Sequence, residues 1–264
     1  MPDDSEHRGE RGQPSADYRG QASADRLAVK LSELARHLRE GAGVQETLDA
    51  IVRAGVDTIA GAEHAGVTVV RRRRTVETKA STDEVVREAD RAQYETGQGP
   101  CLDAIYLERT VRVSDMSAER RWPAFVERAR GLGVASMLSF QLYVHEDNLG
   151  ALNLYAGRPD AFGDESEHVG LLFAAHAAVA MSGAQQEEHL SRAVAMRDLI
   201  GQAKGILMER HRLTADQAFT LLVSASQETN TRLADIARHL VHTGELAGRR
   251  IGQPLGDAAR GEGT

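Results

Sequence analysis

Apolar and polar positions divide the chain into a mixed region followed by a helical one. Over residues 44–182, stretches with an apolar side chain every three or four residues are interspersed with short runs in which apolar and polar residues alternate. After Asp164 only the helical spacing continues, and it reaches Arg212 without a proline. The pattern therefore predicts an α+β region that contains β-hairpins and, after it, an all-α region.

Individual elements are predicted from the same pattern and from capping residues. The predicted strands cover residues 65–70, 76–81, 110–114, 136–144 and 149–155. The predicted helices cover residues 44–59, 83–93, 123–132, 165–212, 215–228 and 232–242. Thr214 and Gln217 have the spacing of a capping box, and Asn230 and Thr231 are predicted to cap the last helix.

The strand over residues 136–144 has two different faces. Leucine and phenylalanine side chains share one face, whereas Ser139 and Gln141 lie on the other. The next strand comes after a predicted turn at residues 145–148, and it carries Asn153. We expect one face of this hairpin to be core and the other to line a cavity. Ser139, Gln141 and Asn153 are therefore the candidate ligand-binding groups.

Composition divides the chain into five segments. Residues 1–25 hold hardly an apolar side chain larger than alanine, which predicts a disordered tail. Residues 26–43 predict a helix with one stripe of leucines, and this stripe either pairs two protomers or packs on its own domain. The remaining segments are a mixed domain at 44–182, a helical domain at 183–247 and a Gly- and Arg-rich tail at 248–264, which is also predicted to be disordered.

Charge and cysteine content exclude several classes of protein. The net charge of -7 does not favour a polyanionic partner through bulk electrostatics, so any nucleic-acid surface must be local. The single cysteine, Cys101, excludes an intramolecular disulfide and a four-thiolate zinc site, and we predict that it is structural. The sequence shows neither a membrane-spanning run nor a signal peptide, so we expect a cytoplasmic protein that is not embedded in a membrane.

A distinctive string of residues lies in the helical domain. It reads IGQAKGILMER over residues 200–210. Further matching positions are Ala218, Phe219, Leu222, Asn230, Leu233, Asp235, Ile236 and Ala237. With these residues the segment resembles an ANTAR domain, the RNA-binding module of transcription antitermination regulators. The resemblance implies a three-helix, all-α fold.

Two further strings lie in the mixed domain. They read YETGQGPCLDA over residues 94–104 and LGALNLY over residues 149–155. With them, residues 44–182 resemble a GAF domain. The resemblance implies an antiparallel sheet flanked by helices and a sensor function. It does not identify the ligand, so the signal is expected to be an unknown small molecule or protein, and the cofactor stays unknown.

The ANTAR resemblance also implies partners. It implies a homodimer that binds a pair of RNA hairpins in nascent transcripts and stabilises them against a competing terminator hairpin. Residues 186–247 carry seven Lys or Arg and eight acidic side chains, a net charge of 7 − 8 = −1. A generally basic surface therefore does not supply the affinity for RNA, and the placement of individual cations must supply it.

Six residues are the candidate RNA contacts. Arg197, Lys204 and His211 are spaced by seven, which predicts that they share one helix face and meet successive phosphates. The alternative interpretation of all six is that they are merely solvated positions. Gln202, Asn230 and Thr231 are predicted to contact loop bases or sugars, because sequence-specific RNA recognition usually targets unstacked loop bases. Ala203, Gly205 and Ala218 are predicted to be close-packing positions.

Other activities fit these residues less well. GAF-like folds include methionine sulfoxide reductases that need two cysteines, which Cys101 alone does not supply, so no enzyme activity is predicted. The histidines 239 and 242 would provide only two metal ligands, and no metal site is predicted. The run of arginines at 71–74 is interpreted as a solvated hairpin turn. The open alternative is a ligand-gated dimerisation or DNA-binding regulator without RNA activity.

Overall fold

The computed structural model describes five parts of the chain. These are residues 28–29, 32–33, 43–71, 75–144 and 147–247. The predictions that lie outside them concern the two tails, most of the helix at 26–43, residues 72–74 of the arginine turn and residues 145–146. The chain forms two compact units, Met1–Glu188 and His189–Thr264.

The first unit contains a five-stranded antiparallel sheet with the strand order β2-β1-β5-β4-β3. Its strands are β1 (His64–Arg71), β2 (Thr75–Ser81), β3 (Thr110–Val113), β4 (Ser136–Val144) and β5 (Asp147–Ala156). Its helices are α1 (Val44–Thr58), α2 (Glu84–Thr96), α3 (Pro100–Tyr106), α4 (Pro123–Gly131) and the start of α5 (Asp164–His211). The expected α+β sheet with flanking helices is confirmed.

Helices cover both faces of this sheet because the side chains of each strand alternate between the two faces. On one face, Phe140 and Leu154 pack in a buried cluster with apolar residues of α1 and α5. On the other, Met137 and Tyr155 pack in a second cluster with apolar residues of α2, α3 and α4. Both faces are therefore core.

Two glycines allow close packing at the sheet. Gly150 has a φ of 147°, and a Cβ on it would lie 1.8 Å from the carbonyl oxygen of Thr68 on the neighbouring strand. Gly170 of α5 lies against Phe140, whose Cζ atom would be 2.3 Å from an added Cβ. Larger residues at either position would push apart elements that are in contact.

Two local predictions in the first unit are wrong. Residues Pro100–Tyr106, for which no element is predicted, form the helix α3, and its first residue is a proline, which needs no amide donor in the first helical turn. The four-residue turn at 145–148 is shorter, because Asp147 and Asn148 belong to β5 and pair with Val144 and Tyr143. A register shift after Leu142 accommodates the extra residue of β5.

The second unit contains the C-terminal part of α5, together with α6 (Ala215–Glu228) and α7 (Leu233–Thr243). Its buried core includes Leu207, Leu222 and Leu240, one from each helix. The expected three-helix, all-α fold is confirmed. Among the described helices, none is both long and apolar enough to cross a membrane.

Helix ends in the second unit agree only partly with prediction. The capping box is confirmed: Thr214 Oγ1 accepts from the Gln217 amide at 3.3 Å, and Gln217 Oε1 accepts from the Thr214 amide at 2.9 Å. The cap predicted at Asn230 and Thr231 is wrong, because Arg232 is the N-cap of α7 and has no side-chain capping bond. Asn230 instead forms the turn, with a φ of 50°, a conformation that asparagine tolerates.

Candidate functional site

A cluster of polar side chains is buried between the sheet and helices α2 and α3. We call it the Asp90 cluster, and its members are Thr68, Thr78, Asp90, Gln93, Tyr94, Cys101, Asn153 and Tyr155. They come from β1, β2, α2, α3 and β5. Buried polar groups of this kind are normally paired by hydrogen bonds.

The carboxylate of Asp90 is surrounded by hydrogen-bond donors. Thr78 Oγ1 donates to it at 2.7 Å, and the amide groups of Gln93 and Asn153 donate at 3.3 Å each. The hydroxyl of Tyr155 also donates to it. Burial nevertheless raises the pKa of Asp90 to about 6, because removal from water outweighs the hydrogen bonds that favour the carboxylate, such as those of Tyr155 and Thr78.

Cys101 lies in the same cluster and is fully buried. Its Sγ atom donates to Thr68 Oγ1 at 3.5 Å, and its amide donates to Gln93 Oε1 at 2.8 Å. Burial, together with the negative charge of Asp90, raises the pKa of the thiol to about 12. These surroundings disfavour the reactive thiolate and support the predicted structural role.

Two of the three candidate ligand-binding residues are closed off from solvent. Ser139 and Asn153 have no exposed surface, and Gln141 is half-buried and donates to the Ile105 carbonyl at 2.9 Å. Ser139 and Asn153 are nevertheless brought together, because they are paired residues of β4 and β5. The Ser139 Oγ and Asn153 Oδ1 atoms are buried without a hydrogen-bond partner among the described residues.

In the second unit, the candidate RNA contacts on α5 differ in exposure. Arg197 and Gln202 are exposed, Lys204 is half-buried, and the Nε2 atom of His211 is buried without a hydrogen-bond partner among the described residues. Residues spaced by seven drift around a straight helix by about 20° per step. The two steps from Arg197 to His211 amount to about 40°, so the three residues stay within one broad face of α5 although they differ in exposure.

The remaining candidates lie at the turn between α6 and α7. Asn230 is exposed. Thr231 is half-buried and makes local bonds: its hydroxyl donates to the Thr229 carbonyl at 3.2 Å, and its carbonyl accepts from Ser226 Oγ at 2.6 Å. Asn230 therefore offers an accessible surface at this turn, whereas Thr231 takes part in holding the turn together.

Two of the three close-packing positions predicted in this unit are confirmed. Ala203 and Ala218 are completely buried, as expected for positions where helices approach each other. Gly205 is exposed, and a Cβ built on it meets no atom within 4 Å among the described residues beyond its local helix. The predicted packing role of Gly205 is therefore wrong.

Sequence reasoning did not identify Phe219 as a surface group. This residue of α6 is 41% exposed, and the Lys204 Nζ atom lies 5.9 Å from the centre of its ring. Its neighbour Ala218 is in the core, and a helical pattern of apolar residues does not separate the two positions.

The described residues contain no group of three or more His, Cys, Asp or Glu side chains that could hold a metal ion.

Comparison with known domain families matches both parts of the chain. The GAF domain model matches residues 41–182, which is more than half of the chain, and the ANTAR domain model matches residues 188–241. No curated protein matches the sequence.

Solved structures show similarity of fold. The Stigmatella aurantiaca phytochrome photosensory core module has a TM-score of 0.55 at 13% identity, and the match covers 90% of this chain and 50% of that one. The phycoerythrobilin-bound GAF domain of a cyanobacterial phytochrome has a TM-score of 0.50 at 12% identity, covering 62% of this chain and 98% of that one. A free methionine-R-sulfoxide reductase from Neisseria meningitidis has a TM-score of 0.47 at 15% identity, and the match covers 65% of this chain and 95% of that one.

The sheet and helices of the first unit agree with the GAF match, and the helical core of the second agrees with the ANTAR match. Both are regulatory domains. The chain therefore belongs to the GAF-domain family, and it is a regulator in which an ANTAR domain comes after the GAF domain.

Proposed function

We propose that this protein is an RNA-binding transcription antitermination regulator, in which the GAF domain senses a signal and controls an ANTAR domain that binds paired RNA hairpins. The ANTAR match at residues 188–241 carries the proposal. The matched segment has its own buried core and presents Arg197, Gln202, Lys204 and Asn230 at its surface. These are the side-chain types that bind phosphates and loop bases.

A homodimer is part of the proposal, because two copies present two ANTAR domains to two hairpins. Large apolar side chains on α5 that face solvent support it. Leu172 and Val179 are 42% and 61% exposed and are spaced by seven, and Leu190 and Val194 are 65% and 45% exposed and are spaced by four. Such spacing gives a helix an apolar stripe that a second helix can cover.

We further propose that the GAF domain takes its signal at Ser139, Gln141 and Asn153. The unpaired polar atoms of Ser139 and Asn153 support this assignment, because buried polar atoms normally have partners. The signal is a small molecule or a protein. We also propose that the protein acts in the cytoplasm.

The experiment that tests RNA binding uses the full-length protein. A library of tandem-hairpin RNAs with randomised loops is selected for retention, and the enriched RNAs are then compared with DNA of the same sequence. We expect selective retention of RNA with recurring loop sequences. Equal retention of DNA would support the DNA-binding alternative, and no enrichment of any RNA would refute the proposal.

A further inference from the structure

Phe219 is exposed in a way that the core of its own domain does not explain. The residues around it on α6 that point inward, Ala218 and Leu222, are completely buried, whereas Phe219 is 41% exposed and lies outside the buried cluster. Aromatic rings are enriched at surfaces where a protein contacts a partner. The chemistry next to the ring indicates which partner fits.

A cation lies beside the ring. The Lys204 Nζ atom is 5.9 Å from the ring centre, at the outer limit of a cation–π contact, so the ammonium group is held weakly and can move to a stronger anionic partner. An aromatic face next to a mobile positive charge matches one nucleotide, because the base stacks on the ring and the phosphate meets the cation. A purely apolar partner would leave this charge without a counter-ion.

The neighbouring surface of α5 is flat. Gly201 and Gly205 are exposed, and a Cβ on either would meet no described atom within 4 Å beyond the local helix. The fold therefore gives no steric reason for glycine at these two positions. A bare helix surface beside Arg197 and Lys204 lets a sugar–phosphate backbone approach closely.

We propose that Phe219 is a base-stacking residue, which takes an unpaired base from a hairpin loop while Lys204 binds the phosphate of that nucleotide. The inference rests on the proposed RNA-binding function and adds to it the residue that recognises an unstacked base. Stacking accepts any base, so sequence preference at this nucleotide must come from other groups that contact the base.

The test uses full-length protein, an RNA enriched from the tandem-hairpin library, and versions of it with one loop base removed at a time. Phe219→Leu keeps an apolar side chain without a π face, Phe219→Tyr keeps the face, and Thr220→Ala is the control at the exposed neighbouring position. We expect Phe219→Leu to weaken binding about fivefold to a hundredfold, and Phe219→Tyr to stay within about threefold of the native protein.

The missing-base RNAs identify the stacked nucleotide. At one loop position, removal of the base should weaken binding by the native protein, and Phe219→Leu should then cause no further loss. 2-Aminopurine at that position should lose fluorescence when native protein binds and keep it with Phe219→Leu. Circular dichroism and sedimentation velocity confirm that each variant has native helix content and assembly.

Three outcomes would overturn the inference. Native affinity and native 2-aminopurine quenching in Phe219→Leu would show that the ring does not stack on a base. Equal losses from Phe219→Leu on complete and missing-base RNAs would assign it a structural role, and an altered sedimentation coefficient would assign it to a protein interface. In each case the native protein still binds RNA, whereas failure of the native protein to bind any hairpin RNA refutes the proposed function itself.

Discussion

At the scale of single residues, Asp90 makes the stability of the GAF domain depend on pH. Burial raises its pKa from 3.8 to about 6, so the folded protein holds this proton more tightly than the unfolded chain does. Between these two values the folded state binds more protons, and its free energy of unfolding therefore falls as pH rises. The stabilising contribution of the Asp90 proton is fully present below about pH 4 and is lost as the pH rises through about 6. Over this range the free energy of unfolding falls by up to about 3 kcal/mol.

Asp90→Asn removes this dependence. The amide also replaces an acceptor with a donor that faces Thr78 and Tyr155, so the variant should be less stable at every pH. We expect the difference in free energy of unfolding between native protein and variant to be larger at pH 4 than at pH 7, measured by urea denaturation. Other titrating groups cancel in this comparison. A difference that does not change with pH would contradict the raised pKa.

Cys101 should be inert. With a thiol pKa of about 12, only about one thiol in a hundred thousand is ionised near pH 7. We expect mild peroxide to leave RNA affinity unchanged in both the native protein and Cys101→Ser. A loss of affinity in native protein that the serine variant does not share would show that Cys101 is a redox sensor.

Arg197 and Lys204 should control the salt dependence of RNA binding. Replacing both with alanine is expected to weaken affinity several-fold to about a hundredfold, and to lower the slope of log affinity against log salt by roughly one unit per lost phosphate contact. Arg87→Ala with Arg91→Ala, two exposed arginines of the GAF domain, is the control with the same change in charge. An unchanged slope in the first variant would place the RNA surface elsewhere.

At the scale of elements, the glycines of α5 serve different purposes at different positions. Gly201→Ala and Gly205→Ala fill open space in a helix, so each should raise the free energy of unfolding by about 0.5–1 kcal/mol. Gly170→Ala places a methyl group against the ring of Phe140 and should lower the free energy of unfolding by about 1–3 kcal/mol. Chemical denaturation measures all three, and Gly170→Ala is the matched contrast within the same helix.

The RNA affinity of the Gly201→Ala and Gly205→Ala variants provides a second, independent measurement. If a sugar–phosphate backbone approaches Gly201, its alanine variant should be more stable and yet bind RNA less tightly. A variant that gains stability and keeps full affinity would show that the bare surface of α5 has no part in binding.

At the scale of the whole molecule, α5 is the covalent route from the GAF match to the ANTAR match, because this one helix runs from Asp164 to His211 through Gly183. A ligand shifts an equilibrium only by its differential affinity for two arrangements, so a sensed signal must change something that the helix transmits. Two residues inserted near Gly183 rotate the C-terminal part of the helix by about 200° around its axis, whereas three or four nearly restore the phase.

We therefore expect regulation to depend on helical phase. Variants with three or four inserted residues should retain a change in RNA affinity on addition of cell extract, the source of the signal, better than a variant with two. Regulation that survives all insertions equally would show that the segment at Gly183 acts as a flexible tether.

Much of this molecule could be predicted from local patterns. Periodicity located all five strands and six of the seven described helices that carry the two domains, and capping residues located the start of α6. The short helix α3 was missed because seven residues are too few for a periodic signal, although Pro100 marked its start. The six RNA-contact residues and the three GAF ligand residues stay predictions.

The sequence by itself determined the two domain types, because their signals are local: side-chain periodicity, caps and contiguous strings such as that at residues 200–210. Only the tertiary structure decided which polar groups meet. The Asp90 cluster joins Thr68, Asp90 and Tyr155 across long separations with no periodic signal. Helix packing also decided that Phe219 faces solvent, because exposure depends on what the neighbouring helices cover.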